Sequence, residues 1–307
     1  MNFVRSRVLW FGLSGVLSIA SIWFLASYGL RVGIDFQGGQ LIEAKFTAPV
    51  EIGALRAQLD EAAVDGTVPR TAVAASNTGT FLLRTSGTPD QLNALRQTLT
   101  DRGGEWQEVR FENVGPTVGK DLTRKAVIGV ILASVAIILY IAWAFRRVPA
   151  PTNSWQFGIT AVIALLHDLL ITIGAFSLFG HVFGYEVDSL FITALLTVLG
   201  FSVHDTIVTY DRIRENLLQH PGGDFETIVY SSIEQTIARS LNTSLTLIIV
   251  LLTLVLLGGT TIRPFVSAIL VGISAGTYSS IFLASQLLIV WQQFIRRRTG
   301  TIGTSNR

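Results

Sequence analysis

Only 44 of the 307 residues are charged, 14%, against roughly 25% in ordinary soluble domains, which excludes a disordered chain. The net charge of +2 is too small and too dispersed to build a phosphate-binding groove, so nucleic acid is not an expected partner, and the absence of cysteine excludes disulfides, zinc-thiolate sites and thiol nucleophiles. The window 31–125 holds 23 of the 44 charges, the signature of a soluble segment set inside a membrane protein.

A bilayer core about 30 Å thick takes about 20 apolar helical residues. Six runs qualify: Val8–Tyr28, Ala126–Phe145, Trp155–Phe179, Leu190–Tyr210, Arg239–Gly258 and Phe265–Phe294. The first follows Arg5 and Arg7 in the manner of a signal peptide. Its apolar stretch is too long for one and no small-residue cleavage site follows, so it is expected to stay attached. Lys and Arg in short loops resist translocation. With six spans, Arg5, Arg7, Arg146, Arg147, Arg212, Arg214 and Arg296 to Arg298 fall on one side, and the opposite short loops hold only Arg263. Both termini are therefore expected in the cytoplasm and 31–125 in the periplasm. Arg124 and Lys125 run against the rule, in a long translocated segment where it weakens. The expected partition is a cytoplasmic N-terminus with the first transmembrane helix (1–30), a periplasmic domain (31–125), a five-helix bundle (126–294) and a basic cytoplasmic tail (295–307).

In the periplasmic window, Leu41–Phe46, Thr71–Ala74, Phe81–Arg84 and Trp106–Phe111 are predicted strands. Between them, Glu51–Ala63 repeats apolar residues at Ile52, Leu55 and Leu59. A second helix opens with Thr88 as N-cap, Pro89 at the first helical position and Gln91 completing a capping box, then turns Leu92, Leu95 and Leu99 inward. The order β-α-β-β-α-β predicts an α+β ferredoxin-like sandwich, which roughly 80 residues just support as a core.

An ionisable side chain inside a span costs about 2.5–3.5 kcal/mol on insertion scales, which makes each one a functional candidate. His167 and Asp168 lie near the middle of the third span. Asp205, preceded by His204, lies toward the inner end of the fourth, and Arg239 starts the fifth on a stripe with Asn242, Thr243 and Thr246. Two readings compete. Either these groups satisfy one another as interhelical hydrogen bonds while Arg239 snorkels to the headgroups, or Arg239, Asp205, His204, Asp168, Asn242 and Thr243 line a polar path of the kind proton coupling requires. The polar run continuing inward from Arg239 favours the path for that residue. Asp211, Arg212, Arg214 and Glu215 read as a solvated helix end.

Two glycine-rich junctions frame the outer domain, Gly33-Ile34-Asp35-Phe36-Gln37-Gly38-Gly39 and Val114-Gly115-Pro116-Thr117-Val118-Gly119-Lys120. Neither is a phosphate loop, since no helix is expected after the first and neither contains Gly-Lys-Ser/Thr. Gly38, Gly39, Gly115, Pro116 and Gly119 are expected to make flexible or tightly turned hinges between domain and membrane. In the sixth span Ala268, Gly272, Gly276, Ser280 and Ala284 recur every four residues, a small face for close helix packing.

These junctions, together with His167-Asp168, the run Gly200-Phe201-Ser202-Val203-His204-Asp205-Thr206 continuing to Asn216, and Arg239-Ser240-Leu241-Asn242-Thr243-Ser244, resemble the SecF family of the bacterial Sec translocase over essentially the whole chain. The resemblance implies a polytopic six-helix protein, an RND-like half with an inserted extracytoplasmic domain, in the bacterial inner membrane. It implies no enzymatic activity, no cofactor and no metal. It implies SecD, the SecYEG channel and YajC as partners, unfolded preproteins as substrates, and the proton motive force as the driver of late translocation. By position, Arg239 matches the family's functional arginine, which faces an essential aspartate in SecD, and His204 stands where the family commonly has Asn. Two other functions compete. Half of an RND small-molecule exporter is disfavoured by the single small outer domain; an intramembrane aspartyl protease built on Asp168 and Asp205 is disfavoured by the lack of a Gly-x-Gly-Asp signature.

Overall fold

A computed structural model describes residues 6–64, 66–75, 79–146, 148–149, 152–259 and 261–298; Arg5 and Arg147 of the basic flanks and the end of the tail lie outside the described residues. Helix α1 (Arg7–Tyr28) leads through a single helical turn, α2 (Ile34–Gln37), into the outer domain: β1 (Gly39–Phe46), α3 (Ile52–Ala62), β2 (Thr71–Ala75), β3 (Phe81–Thr85), α4 (Pro89–Gly103) and β4 (Trp106–Val114). The membrane bundle follows as α5 (Pro116–Ala144), α6 (Ser154–Phe183), α7 (Ser189–Gln219) and α8 (Phe225–Leu257). The last span joins α9 (Arg263–Tyr278), a π-helical turn (Ser279–Leu283) and α10 (Ala284–Arg298). Among the described residues six helices are long and apolar enough to cross a membrane, one for each run expected from the sequence.

The four strands form one antiparallel sheet in the order β2-β3-β1-β4, so β3 sits between the two parallel-running strands β1 and β2, as the predicted β-α-β-β-α-β sandwich requires. Helices α3 and α4 cover one face, where Leu55, Leu59, Leu95 and Leu99 pack on Ile42, Ala44 and Leu83. The capping box forms: Gln91 N–H donates to Thr88 Oγ1 and Thr88 N–H to Gln91 Oε1. On the opposite face Leu41, Glu43, Leu82 and Arg84 line a cleft of about 270 Å³ whose far wall includes the α6–α7 connection, at Tyr185 and Glu186, and the start of α9 at Arg263.

Three helices outrun the apolar runs that mark them by two turns or more. Helix α5 starts at Pro116, whose fixed φ and missing N–H suit the first helical position, so Gly119 lies inside a helix rather than in a loop. Helix α7 continues past Tyr210 to Gln219. Helix α8 starts at Phe225, capped by Asp224 accepting from Thr227 N–H, and its 33 residues make about 50 Å, longer than a bilayer core of about 30 Å. On the side away from the sheet, Arg7 at the start of α1 pairs with Glu226 of α8 and donates to Tyr230 and to Gln293 of α10. The start of the first span and the end of the last are therefore on the same side of the bundle.

Candidate functional site

The predicted polar residues fall into three environments. Asp168 is 0% exposed in the middle of the bundle. Its Oδ1 lies 3.0 Å from His167 Nδ1, and its Oδ2 accepts from Ser202 Oγ of α7 and Ser279 Oγ of the π turn, each at 2.6 Å. Around this knot Ser280 Oγ donates to the Ser202 carbonyl at 3.1 Å and Thr206 Oγ1 to Ser280 Oγ at 3.0 Å. The small face of the last span is what brings these groups together. A Cβ on Gly272 would stand 2.2 Å from Val198 Cγ2, and one on Gly276 3.0 Å from Ser202 Cβ. The π turn widens the helix by one residue, and Ser279 and Ser280, adjacent in sequence, are both fully buried in the knot.

Asp205 lies one turn nearer the C-terminal end of α7, 3% exposed, and accepts from Ser244 Oγ of α8 at 3.2 Å. The third environment is open. His204 on α7 and Arg239, Asn242, Thr243 and Thr246 on α8 are exposed on the outside of the bundle, while Ser240 and Ser244 on the inner side of α8 are buried. Thr243 and Thr246 hydroxyls bond back to the carbonyls of Arg239 and Asn242. Among the described residues no carboxylate pairs with Arg239, and Asp205 has Ser244 as its partner instead. The sequence marked the aspartates but missed the donors Ser202, Ser244 and Ser279. Only Ser202 carried a local signal, three residues before Asp205; Ser244 and Ser279 meet carboxylates of other helices, which spacing along their own helix does not reveal.

On the side of the sheet domain, the segment after α1 forms a strap over the α6–α7 connection. Gly33 N–H donates to Val187 O at 2.9 Å and Val187 N–H to Arg31 O at 2.7 Å. Asp35 accepts from the Ser189 backbone N–H at 2.9 Å and from its hydroxyl, and Arg84 of β3 pairs with Glu186. Burial pushes the Glu186 carboxyl above its ordinary range against the opposing pull of Arg84. Burial raises Asp188 too, opposed by the Phe191 N–H it caps and reinforced by nearby Asp35. The predicted junction glycines divide likewise. Gly38 and Gly39 have φ of 78° and 125°. A Cβ on Gly38, Gly39 or Gly119 would lie 2.9 Å from Pro116 Cα, Thr85 O or Phe36 O respectively, whereas Gly115 faces open space.

Comparison with known proteins places this architecture. The C-terminal family of the protein export membrane proteins SecD/SecF matches residues 94–294, and the SecD/SecF GG motif matches 23–50, the segment holding Gly38 and Gly39. The protein translocase subunit SecF of Thermobaculum terrenum is 45% identical over 97% of this chain and 98% of its own. The subunit of the same name from Vibrio alginolyticus is 37% identical over 94% and 89%. The crystal structure of SecDF, a translocon-associated membrane protein from Thermus thermophilus, superposes with a TM-score of 0.82 at 32% identity, covering 95% of this chain and 39% of that one. SecDF in its super-membrane-facing form gives 0.66 at 31%, covering 98% and 39%. This chain thus spans about two fifths of the solved SecDF chains and nearly the full length of the SecF relatives. Its six spans, its single inserted sheet domain and the GG segment at their junction agree with these matches: the chain belongs to the SecD/SecF family of protein export membrane proteins.

Proposed function

We propose that the chain is a non-enzymatic accessory subunit of protein translocation. In this reading it sits in a bacterial inner membrane with both termini cytoplasmic and residues 31–125 periplasmic. Paired with SecD, it draws on the proton motive force to assist late steps of preprotein passage through SecYEG, with YajC as a further partner. The observation that carries this reading is Arg239. A guanidinium stays charged at any accessible pH and is costly at membrane depth, yet Arg239 is exposed on α8 with no carboxylate paired to it among the described residues. A counter-ion supplied by a second chain resolves that conflict, and the larger part of the solved SecDF chains, beyond the 39% matched here, has room for such a chain.

In this mechanism Arg239 holds a partner carboxylate deprotonated, and a proton arriving from outside weakens the pair and releases the two chains to rearrange. His204, Asn242 and Thr243 are exposed like Arg239, and Asp205, bonded to Ser244 of α8, extends the polar path into the bundle. The test is preprotein translocation into vesicles with and without an imposed proton gradient. Arg239→Met is expected to assemble with SecD and lose the gradient-dependent stimulation, and Arg239→Lys to retain part of it. A Met variant that responds fully makes Arg239 an interfacial anchor and overturns the proposal.

A further inference from the structure

Asp168 is shut off from the Arg239 face. Every group bonded to its carboxylate belongs to α6, α7 or the π turn, and among the described residues no Lys or Arg pairs with it. The groups facing it are few: His167 from its own helix, the hydroxyls of Ser202 and Ser279, and Tyr278 of α9, whose hydroxyl is engaged by Ser14 and the Trp10 carbonyl of α1. The His167 ring is buried as well, and among the described residues its Nε2 has no hydrogen-bond partner. An unbalanced carboxylate in so apolar a place is very costly, whereas an aspartate and histidine sharing one added proton are neutral as a pair.

We propose that His167 and Asp168 form a proton-loading site of this chain, distinct from the Arg239 surface, which closes only when one proton is bound. Nε2 is the atom through which that proton enters. Uptake at Nε2 is balanced by passage of the Nδ1 proton across the 3.0 Å contact to Asp168 Oδ1. The unloaded pair is a carboxylate beside a neutral imidazole protonated on Nδ1; the loaded pair is a neutral carboxyl beside a neutral imidazole protonated on Nε2. Ser202 and Ser279 donate to Oδ2 in both states. They belong to α7 and the last span, so the charge on Asp168 acts on the packing of three elements at once. Unloading leaves a net negative charge that favours admitting water, hence opening of the knot.

The inference rests on the gradient-driven function proposed above, and the test separates the two. The full chain is assembled with SecD in vesicles, and Arg239→Met is run in parallel. Asp168→Asn keeps the bonding of the loaded pair, since its carbonyl accepts from both serines and its amide donates to Nδ1. It is expected to assemble with SecD, to lose gradient stimulation at least tenfold, and to lose a protonated-carboxyl band from pH-difference infrared spectra. His167→Asn keeps a polar atom near the Nδ1 position and removes Nε2, and is expected to lose the stimulation while assembling normally. A full gradient response from either variant, or an infrared difference unchanged by Asp168→Asn, overturns the site. If Arg239→Met alone loses the response, the translocation function stands and only this inference falls; if all three respond fully, the function itself fails.

Discussion

Gly38, Gly39 and Gly119 show what single residues contribute at the membrane junction. Gly38 and Gly39 occupy positive-φ backbone that other residues adopt only with strain. Gly119 has ordinary helical geometry and is constrained by space alone, its hydrogen pointing at the Phe36 carbonyl. Gly38 and Gly119 mark where the chain entering the domain touches the chain leaving it, and Gly39 where it touches β3. Substitution with Ala should cost about 1–3 kcal/mol at Gly38 and Gly119, by strain plus overpacking at the first and overpacking at the second. Gly115→Ala, facing open space, should stay within about 0.5 kcal/mol. Thermal unfolding of the purified chain in detergent checks this ranking, and an equal effect at Gly115 would refute the contact argument. The glycines were legible in the sequence as positions with special backbone. Which atoms they accommodate was not, because those contacts join segments distant along the chain.

At the scale of elements, the strap between Arg31 and Asp35 and the α6–α7 connection ties the start of the outer domain to the bundle. A Cβ built on Gly33 lies 3.7 Å from Asp188 Cβ, close to the ~3.8 Å typical of disulfides, and the chain has no cysteine of its own. The pair Gly33→Cys and Asp188→Cys should therefore oxidise spontaneously, and a pair that stays reduced under mild oxidant would show that the strap is not docked. Docking should also depend on pH. Glu186 and Asp188 both have docked-state values raised by burial, so docking takes up protons. It strengthens as pH falls toward the ordinary carboxylate range and weakens as pH rises through the raised values. Exchange of the Gly33 and Val187 amides, corrected for its intrinsic pH dependence, should be slower at about pH 5 than at about pH 8, and Glu186→Gln should flatten the difference. Amphipathic helices, strands and apolar spans repeat with a period, and so they were readable beforehand. A strap of a few residues has no period, and neither has the π turn at Ser279–Leu283, so tertiary contact alone reveals both.

At the scale of the whole molecule, the described residues form two separate hydrophobic cores. The sheet domain is built on Ile42, Leu55, Leu59, Leu83, Leu95 and Leu99, the bundle on residues such as Phe157, Leu165, Phe191 and Ile269, and the buried residues of the two sets do not overlap. They are joined through the glycine junction, the strap and the Arg84–Glu186 pair, with Phe36 of α2 packed against the bundle core. A domain whose buried apolar surface is complete without the membrane part should fold without it, and a small core of this kind tolerates little loss. Residues 31–120 expressed alone in water should give the circular dichroism of a mixed α+β protein and unfold cooperatively in urea. Leu95→Ala, at a side chain that is 0% exposed, should lower that stability by about 2–5 kcal/mol. The same substitution in the full chain should leave assembly of the six spans with SecD intact, because among the described residues Leu95 belongs to the sheet-domain core and not to the bundle core. A random-coil spectrum from the isolated segment would mean that the domain draws its stability from the membrane surface. The outer domain would then be unable to move as a unit relative to the bundle, and a gradient-driven cycle that moves it would need to act through local unfolding instead.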